Sequence, residues 1–184
     1  MQLFIALGAN ASIGGIPLEA TLTSAIGRLS EAGVRLRRTS SLFRTPCFPP
    51  GAGPDFVNAV VEGDTGLPPE SVLAGLHRLE ADFGRTRQRR WGARTLDLDL
   101  VSHGTAVCPD AATFRHWAGL PADRQATEAP DRLILPHPRL QDRAFVLVPM
   151  AQIAPGWRHP VTGLTVAAML GALAPAARDE IVPL

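Results

Sequence analysis

An α+β fold of the ferredoxin-like layer-sandwich type, a mostly antiparallel sheet with helices packed on one face, is predicted for this 184-residue chain. Three observations lead there. Apolar or alternating runs and helical-period runs follow one another as strand, helix, strand, strand, helix, strand. The length, with 46% hydrophobic residues, suits one core and gives no reason for a second domain, so residues 1–184 read as one unit. No internal repeat is visible.

Residues 3–7 form a compact apolar run closed by Gly8 and Asn10, which predicts a buried first strand and a turn. From Pro17, suited to a first helical turn, Leu18, Leu22, Ala25, Ile26 and Leu29 recur at helical spacing until Gly33 stops them. Residues 34–43 alternate, with Val34 and Leu36 dry and Arg35 and Arg37 wet, as in a half-buried strand. Residues 47–54, with three Pro and two Gly, form an irregular loop. Residues 56–61 make another strand, and after the turn at 63–69 Val72, Leu73, Leu76 and Leu79 mark a second helix ending at Gly84. A polar loop, 85–94, precedes a strand at 96–101. The connection 104–131 is longer than a compact domain normally needs and is an ordered flap or a mobile segment. Its Phe114, His116 and Trp117 would cap a ligand or anchor the excursion; anchoring is the expectation, because long loops often pack their own side chains. Helices are expected at 139–153 and 166–173.

Composition excludes several function classes. Acids and bases nearly balance at a formal +1, so no global field draws the chain to nucleic acid or an anionic membrane. All eighteen cationic side chains are Arg. A Walker P-loop, which needs Lys on the phosphates, is therefore excluded. Cys47 and Cys108 are isolated and lack CxxC spacing, which suits the reducing cytoplasm, although one bridge between them stays open. No signal peptide is expected, since the apolar start lacks a basic n-region, and no run reaches membrane-spanning length.

The chemistry concentrates on the strand at 96–101. Leu96, Leu98 and Leu100 face one way and Asp97 and Asp99 the other, about 6 to 7 Å apart at Cα. Alternation alone predicts two acids on a wet face. Without a cation the pair repels; with Mg²⁺, which takes one or two carboxylates plus phosphate oxygens, it becomes a ligand set, and two ions about 3.5 to 4 Å apart would also fit. The ten residues before it, RTRQRRWGAR, crowd Arg85, Arg87, Arg89, Arg90 and Arg94 beside the acids. Metal on one side and planar guanidinium forks on the other are what phosphoryl transfer requires.

The string RWGARTLDLDL, residues 90–100, resembles the signature of the pterin pyrophosphokinases of folate biosynthesis. The similarity extends through ALGAN, FRTPC, PDFVNAVV, RLEADFGRTR and LPHPRLQDRAFVLVPMAQIAP, and so spans most of the chain. It implies a ferredoxin-like fold and transfer of the β,γ-diphosphate of ATP to the hydroxymethyl oxygen of 6-hydroxymethyl-7,8-dihydropterin, with AMP released. Asp97 and Asp99 match the Mg²⁺ ligands. Arg85 and Arg94 match catalytic-loop and phosphate-site arginines, and Trp91 an aromatic that closes over substrate. His137 and Arg143 match ATP-phosphate ligands, Arg132 a further basic position, and Glu80 and, more weakly, His77 the nucleotide-side helix. Phe56 and Phe145 match the rings that sandwich the pterin, and Asn58 the amide that reads its edge. Thr45 and Pro46 would shape the pocket wall. Stacking on two faces and an amide offering both donor and acceptor suit a flat polar heterocycle.

Departures from the family pattern are Ala9, Ala93 and Pro138. The expected protein is a cytoplasmic monomer that binds these two small molecules, with Asp97 a candidate acceptor for the hydroxyl proton and the two loops at 47–54 and 85–94 closing against water. A ferredoxin-like RNA-binding module should show exposed stacking aromatics without paired acids. A nucleotidyltransferase would release pyrophosphate, and a silent relative would have lost the acids and arginines.

Overall fold

The computed structural model describes residues 1–12, 14–47, 53–85 and 94–184. Along the chain run β1 (Gln2–Ala9), α1 (Leu18–Gly27), β2 (Arg35–Thr39), β3 (Phe43–Thr45), β4 (Phe56–Asp64), α2 (Pro69–Asp82), β5 (Asp97–His103), α3 (Ala111–Ala118), α4 (Ala122–Thr127), α5 (Ala144–Ile153), α6 (Val166–Ala172), α7 (Pro175–Asp179) and β6 (Val182–Pro183).

The sheet runs β5-β1-β4-β3-β6, with β2 also paired to β4, and every pairing is antiparallel. This is the ferredoxin-like strand order expected from the sequence. One helical layer is not the whole cover, however. On β1, Leu3, Ile5 and Leu7 join a core with α1 and α2, whereas Phe4 and Ala6 join a second core with α5 and α6. A central strand apolar on both faces must be covered on both. The expectation of helices on one face is corrected accordingly.

The segment at 34–43 is two short strands, not one. Ser40 interrupts it: its N–H donates to the Val60 carbonyl and its hydroxyl accepts the Val60 N–H, both at 3.0 Å, so a side chain replaces a rung of the ladder. Every residue of β2 is exposed, Leu36 included, on an edge strand whose register shifts between Leu36 and Arg38. Its arginines pair instead with Glu62 and Asp64 of β4.

Local chemistry sets the helix ends. Pro69 opens α2, and Gly84 at φ 70° turns the chain away from it. Asp110 and Thr165 accept backbone N–H bonds as the N-caps of α3 and α6. The connection 104–131 holds α3 and α4. Phe114 is buried against the His159 ring, with centroids 5.1 Å apart, so this aromatic anchors the excursion. Cys47 and Cys108 are thiols and not a disulfide. Among the described residues no helix is long and apolar enough to cross a membrane.

Two glycine substitutions test this packing with opposite signs. A Cβ on Gly75 of α2 would lie 2.8 Å from both Cα and Cβ of Ala32, so Gly75→Ala is expected to cost about 1–3 kcal/mol. Gly171 of α6 has open space, and Gly171→Ala is expected to gain roughly 0.5–1 kcal/mol. Urea-unfolding midpoints of the two variants against the parent chain check both signs.

Candidate active site

Sheet register assembles the polar groups. Across the strands Asp97 stands opposite Gly8, Gly8 opposite Asn58, and Asn58 opposite Phe43; two residues further on, Asp99 stands opposite Ala6, and Ala6 opposite Val60. Directly paired residues share a face. Asp97, Asp99 and Asn58 therefore lie on the same side as Phe4, Val60 and Val101, the side that α5 covers. That side is apolar beneath the helix and turns polar where α5 begins.

Gly8 is the gap in the row. A Cβ there would come within 2.7 Å of the Asn58 side-chain oxygen. Asn58 is buried, and its amide nitrogen donates to the Thr45 hydroxyl at 2.7 Å. Phe56, half-buried, stands opposite Thr45 at the start of β4. Phe145, the second residue of α5, keeps 36% of its surface exposed, with the Arg143 guanidinium 5.5 Å from its ring centroid. Neither ring is sealed in a core. Pro46 is exposed beside Thr45.

Each acid is neutralised by arginine. Asp97 pairs with Arg85 at 2.6 Å and with Arg94 through its other oxygen. Asp99 pairs with Arg143 at 3.2 Å and lies 3.9 Å from His137 Nε2. Partial burial works to raise the Asp99 carboxyl pKa, but His137, Arg143, Arg94 and Arg85 outweigh it and hold it below the usual carboxylate range. Among the described residues no group of three His, Cys, Asp or Glu side chains is placed to hold a metal. Asp97 and Asp99 offer two hard carboxylate donors on one sheet face, and Asp99 lines a cleft with His137 and Arg143. That set suits Mg²⁺, whose other positions are filled by phosphate oxygens and water.

Beneath them, Glu80 is 2% exposed; its carboxylate binds Arg85 and accepts the Leu98 N–H at 2.8 Å. It fastens α2 to β5 and holds an arginine. His77 lies three residues earlier on α2 and is half-buried. Arg132 is solvent-exposed and pairs with Asp131 at 2.9 Å. Trp91, with Arg87, Arg89, Arg90 and Ala93, lies outside the described residues, as do 48–52 of the preceding loop.

His137 arrives by its own route. Its N–H donates to the Val101 carbonyl at 2.8 Å, and its Nδ1 accepts the Arg139 N–H at 3.0 Å. With Nδ1 accepting, the neutral ring carries its proton on Nε2, which lies 3.9 Å from Asp99 and 3.5 Å from Arg143 Nη1. Burial pushes its pKa down to about 4, with Arg143 adding to the shift and Asp99 opposing it.

Asn10, read from the sequence only as a turn residue, is a buried clamp. Its backbone N–H donates to the Arg94 carbonyl at 2.9 Å and its side-chain oxygen accepts the Arg94 N–H at 2.7 Å, while its amide reaches the Pro54 carbonyl at 3.4 Å. It joins the ends of both loops. The only sequence sign was a polar amide directly after an apolar strand.

Comparisons with known proteins agree on one group. A family model described as 7,8-dihydro-6-hydroxymethylpterin-pyrophosphokinase (HPPK) matches residues 4–155. The chain is 40% identical over 162 residues to the 2-amino-4-hydroxy-6-hydroxymethyldihydropteridine pyrophosphokinase of Synechocystis, covering 86% of this chain and 72% of that protein. It is 34% identical over 176 residues to the Methylorubrum extorquens protein of that name, covering 95% and 96%. Among solved structures it resembles an HPPK-DHPS in complex with substrates, with TM-score 0.66 at 10% identity, and the Plasmodium falciparum HPPK-DHPS with pteroate, with TM-score 0.64 at 12%. The alignments cover 97% and 92% of this chain but only 44% of each longer chain, and at such identity they speak for the fold alone.

Acid should weaken the fold through His137. Its folded pKa lies below the ordinary 6.5, so between pH 6.5 and about 4 the unfolded chain binds more protons and stability falls as pH falls. Buried His159 adds to the loss with the same sign. Urea unfolding over pH 4–7 is expected to show a shallower slope for His137→Gln than for the parent chain; equal slopes would contradict the neutral, partly buried imidazole.

Proposed function

The chain belongs to the 7,8-dihydro-6-hydroxymethylpterin-pyrophosphokinase family, and from that membership we propose how its own residues carry the transfer. The enzyme moves a diphosphate group from ATP to the hydroxymethyl group of 6-hydroxymethyl-7,8-dihydropterin, a step of folate synthesis. The observation that carries the site assignment is the gathering of two carboxylates and three arginines beside Asn58, at one end of one sheet face.

The hydroxymethyl oxygen attacks the β-phosphorus, the bond to the α,β-bridging oxygen breaks, and AMP leaves with that oxygen. Arg85, Arg94 and Arg143 are the donors to the phosphates, exchanging Asp97 and Asp99 for phosphoryl oxygens. The His137 Nε2–H adds a neutral donor. Asp97 and Asp99 would hold Mg²⁺, as one or two ions, which when bound neutralises charge on the phosphate oxygens. Asp97 is also the proposed acceptor of the hydroxyl proton. Asn58 reads the pterin edge, Gly8 leaves that amide its place, and Thr45 fixes its rotamer; Phe56 and Phe145 stack on the ring, with Pro46 at the wall. Glu80 acts by positioning Arg85. His77, Arg132 and Trp91 complete the nucleotide side, Arg132 only after leaving Asp131.

Residues 1–184 act as one domain carrying the connection 104–131, a reading supported by Val166 and Met169 sharing a core with Phe4. The enzyme is proposed to work as a monomer in the cytoplasm, a reducing compartment that suits two cysteines kept as thiols.

Nucleotide analysis after incubation with ATP, Mg²⁺ and the pterin is expected to yield AMP only when the pterin is present. ADP or free pyrophosphate as the product would contradict diphosphoryl transfer. Asp97→Asn and Asp99→Asn should each lower kcat about 100-fold or more. Gly8→Ala should raise KM for the pterin roughly tenfold, as expected when a buried amide is displaced from its partner, and leave KM for MgATP unchanged.

A further inference from the structure

The connection 104–131 takes no part in the chemistry above, yet α3 is built into its support. We propose that Arg139 is a positioning residue for the nucleotide side of the site, and that α3 holds it in place. The inference rests on His137 and Arg143 binding phosphate.

Arg139 acts in two directions. Its backbone N–H donates to His137 Nδ1 at 3.0 Å and so selects the tautomer whose Nε2–H faces Asp99. Its side chain, 13% exposed, runs the other way and donates from Nη1 to the carbonyl of Ala118 at 3.2 Å. Ala118 is the last residue of α3, where helix carbonyls lack intrahelical partners and a cation is favoured. The helix is itself fixed at both ends. Asp110 caps its start through the Thr113 N–H at 2.9 Å, and buried Phe114 docks on His159. Contacts thus run without a break from His159 through Phe114 and the Ala118 carbonyl to Arg139, and from there to His137.

Arg143 depends on the same segment. Between Arg139 and Arg143 lies a single tight turn, in which the Asp142 N–H donates to the Arg139 carbonyl and the Arg143 N–H to the Leu140 carbonyl. A shift of Arg139 therefore moves both groups that face Asp99. On the pterin side Gly8, Thr45, Phe56 and Asn58 lie on β1, β3 and β4, where among the described residues no hydrogen bond joins them to α3, and Phe145 alone follows Arg143.

The test uses the full chain and the variants Arg139→Met, Arg139→Lys and Phe114→Leu. Long-range ¹H–¹⁵N correlation spectra read the His137 tautomer without any turnover, and kinetics give kcat and both KM values. Arg139→Met is expected to lose the single Nε2–H form and to raise KM for MgATP about five- to tenfold, as for loss of one hydrogen bond to a charged group. Its kcat and pterin KM should stay within about twofold. Arg139→Lys should recover most of the loss, and Phe114→Leu should move the same readouts more weakly. A His137 tautomer and MgATP KM unmoved by Arg139→Met would overturn the proposal, as would an equal rise in both KM values. His137→Ala with an unchanged MgATP KM would instead overturn the phosphate assignment on which it rests.

Discussion

Two carboxylates two residues apart on one strand face cannot be left to repel each other, and much of this molecule follows from how they are neutralised. Asp97 takes Arg85 and Arg94; Asp99 takes Arg143 and the dipole of a neutral His137. Each arginine then needs its own support. Arg85 rests on buried Glu80, Arg94 is held at its backbone by Asn10, and Arg143 sits at the N-terminus of α5. Removing one member would strand a partly buried charge, which is costly, whereas the assembled cluster is electrically quiet. The arginines that balance the acids are the ones proposed to receive phosphate.

The sheet acts as the ruler for the second substrate. Because Asn58, Gly8 and Asp97 occupy one row across β4, β1 and β5, the amide proposed to read the pterin edge and the carboxylate proposed to hold the metal are separated by one strand, whose residue in that row, Gly8, bears no side chain. α5 then closes the apolar part of the same face and brings Arg143 and Phe145 to its border. Strand spacing, which backbone hydrogen bonding sets, thereby fixes where an acceptor ring and a phosphate chain can meet.

Much of this was legible in the chain itself. Alternation in LDLDL placed the two acids on a face away from the leucines, and the order of elements gave the strand arrangement of the sheet. What local pattern could not reveal depended on tertiary contact. Leu36 reads as a buried alternating residue but lies on an uncovered edge, and β6 has two residues and exists only because β3 offers it an edge. Glu80 on its helix looks like any polar side chain; only the approach of the Leu98 N–H reveals it as a buried brace. Asn10 is similar, since its partners lie 84 and 44 residues away. Arg132 fits its motif by sequence and yet sits in a surface pair with Asp131.

The central claim is that the acids of β5 are held by arginines until phosphate takes the arginines away. Isothermal titration calorimetry of Mg²⁺ into the protein, without nucleotide and then with ATP, tests it most directly. Weak Mg²⁺ binding alone and much tighter binding with ATP is the result predicted, because a cation by itself must displace the guanidinium groups. Mg²⁺ binding equally tightly in both titrations would contradict the account.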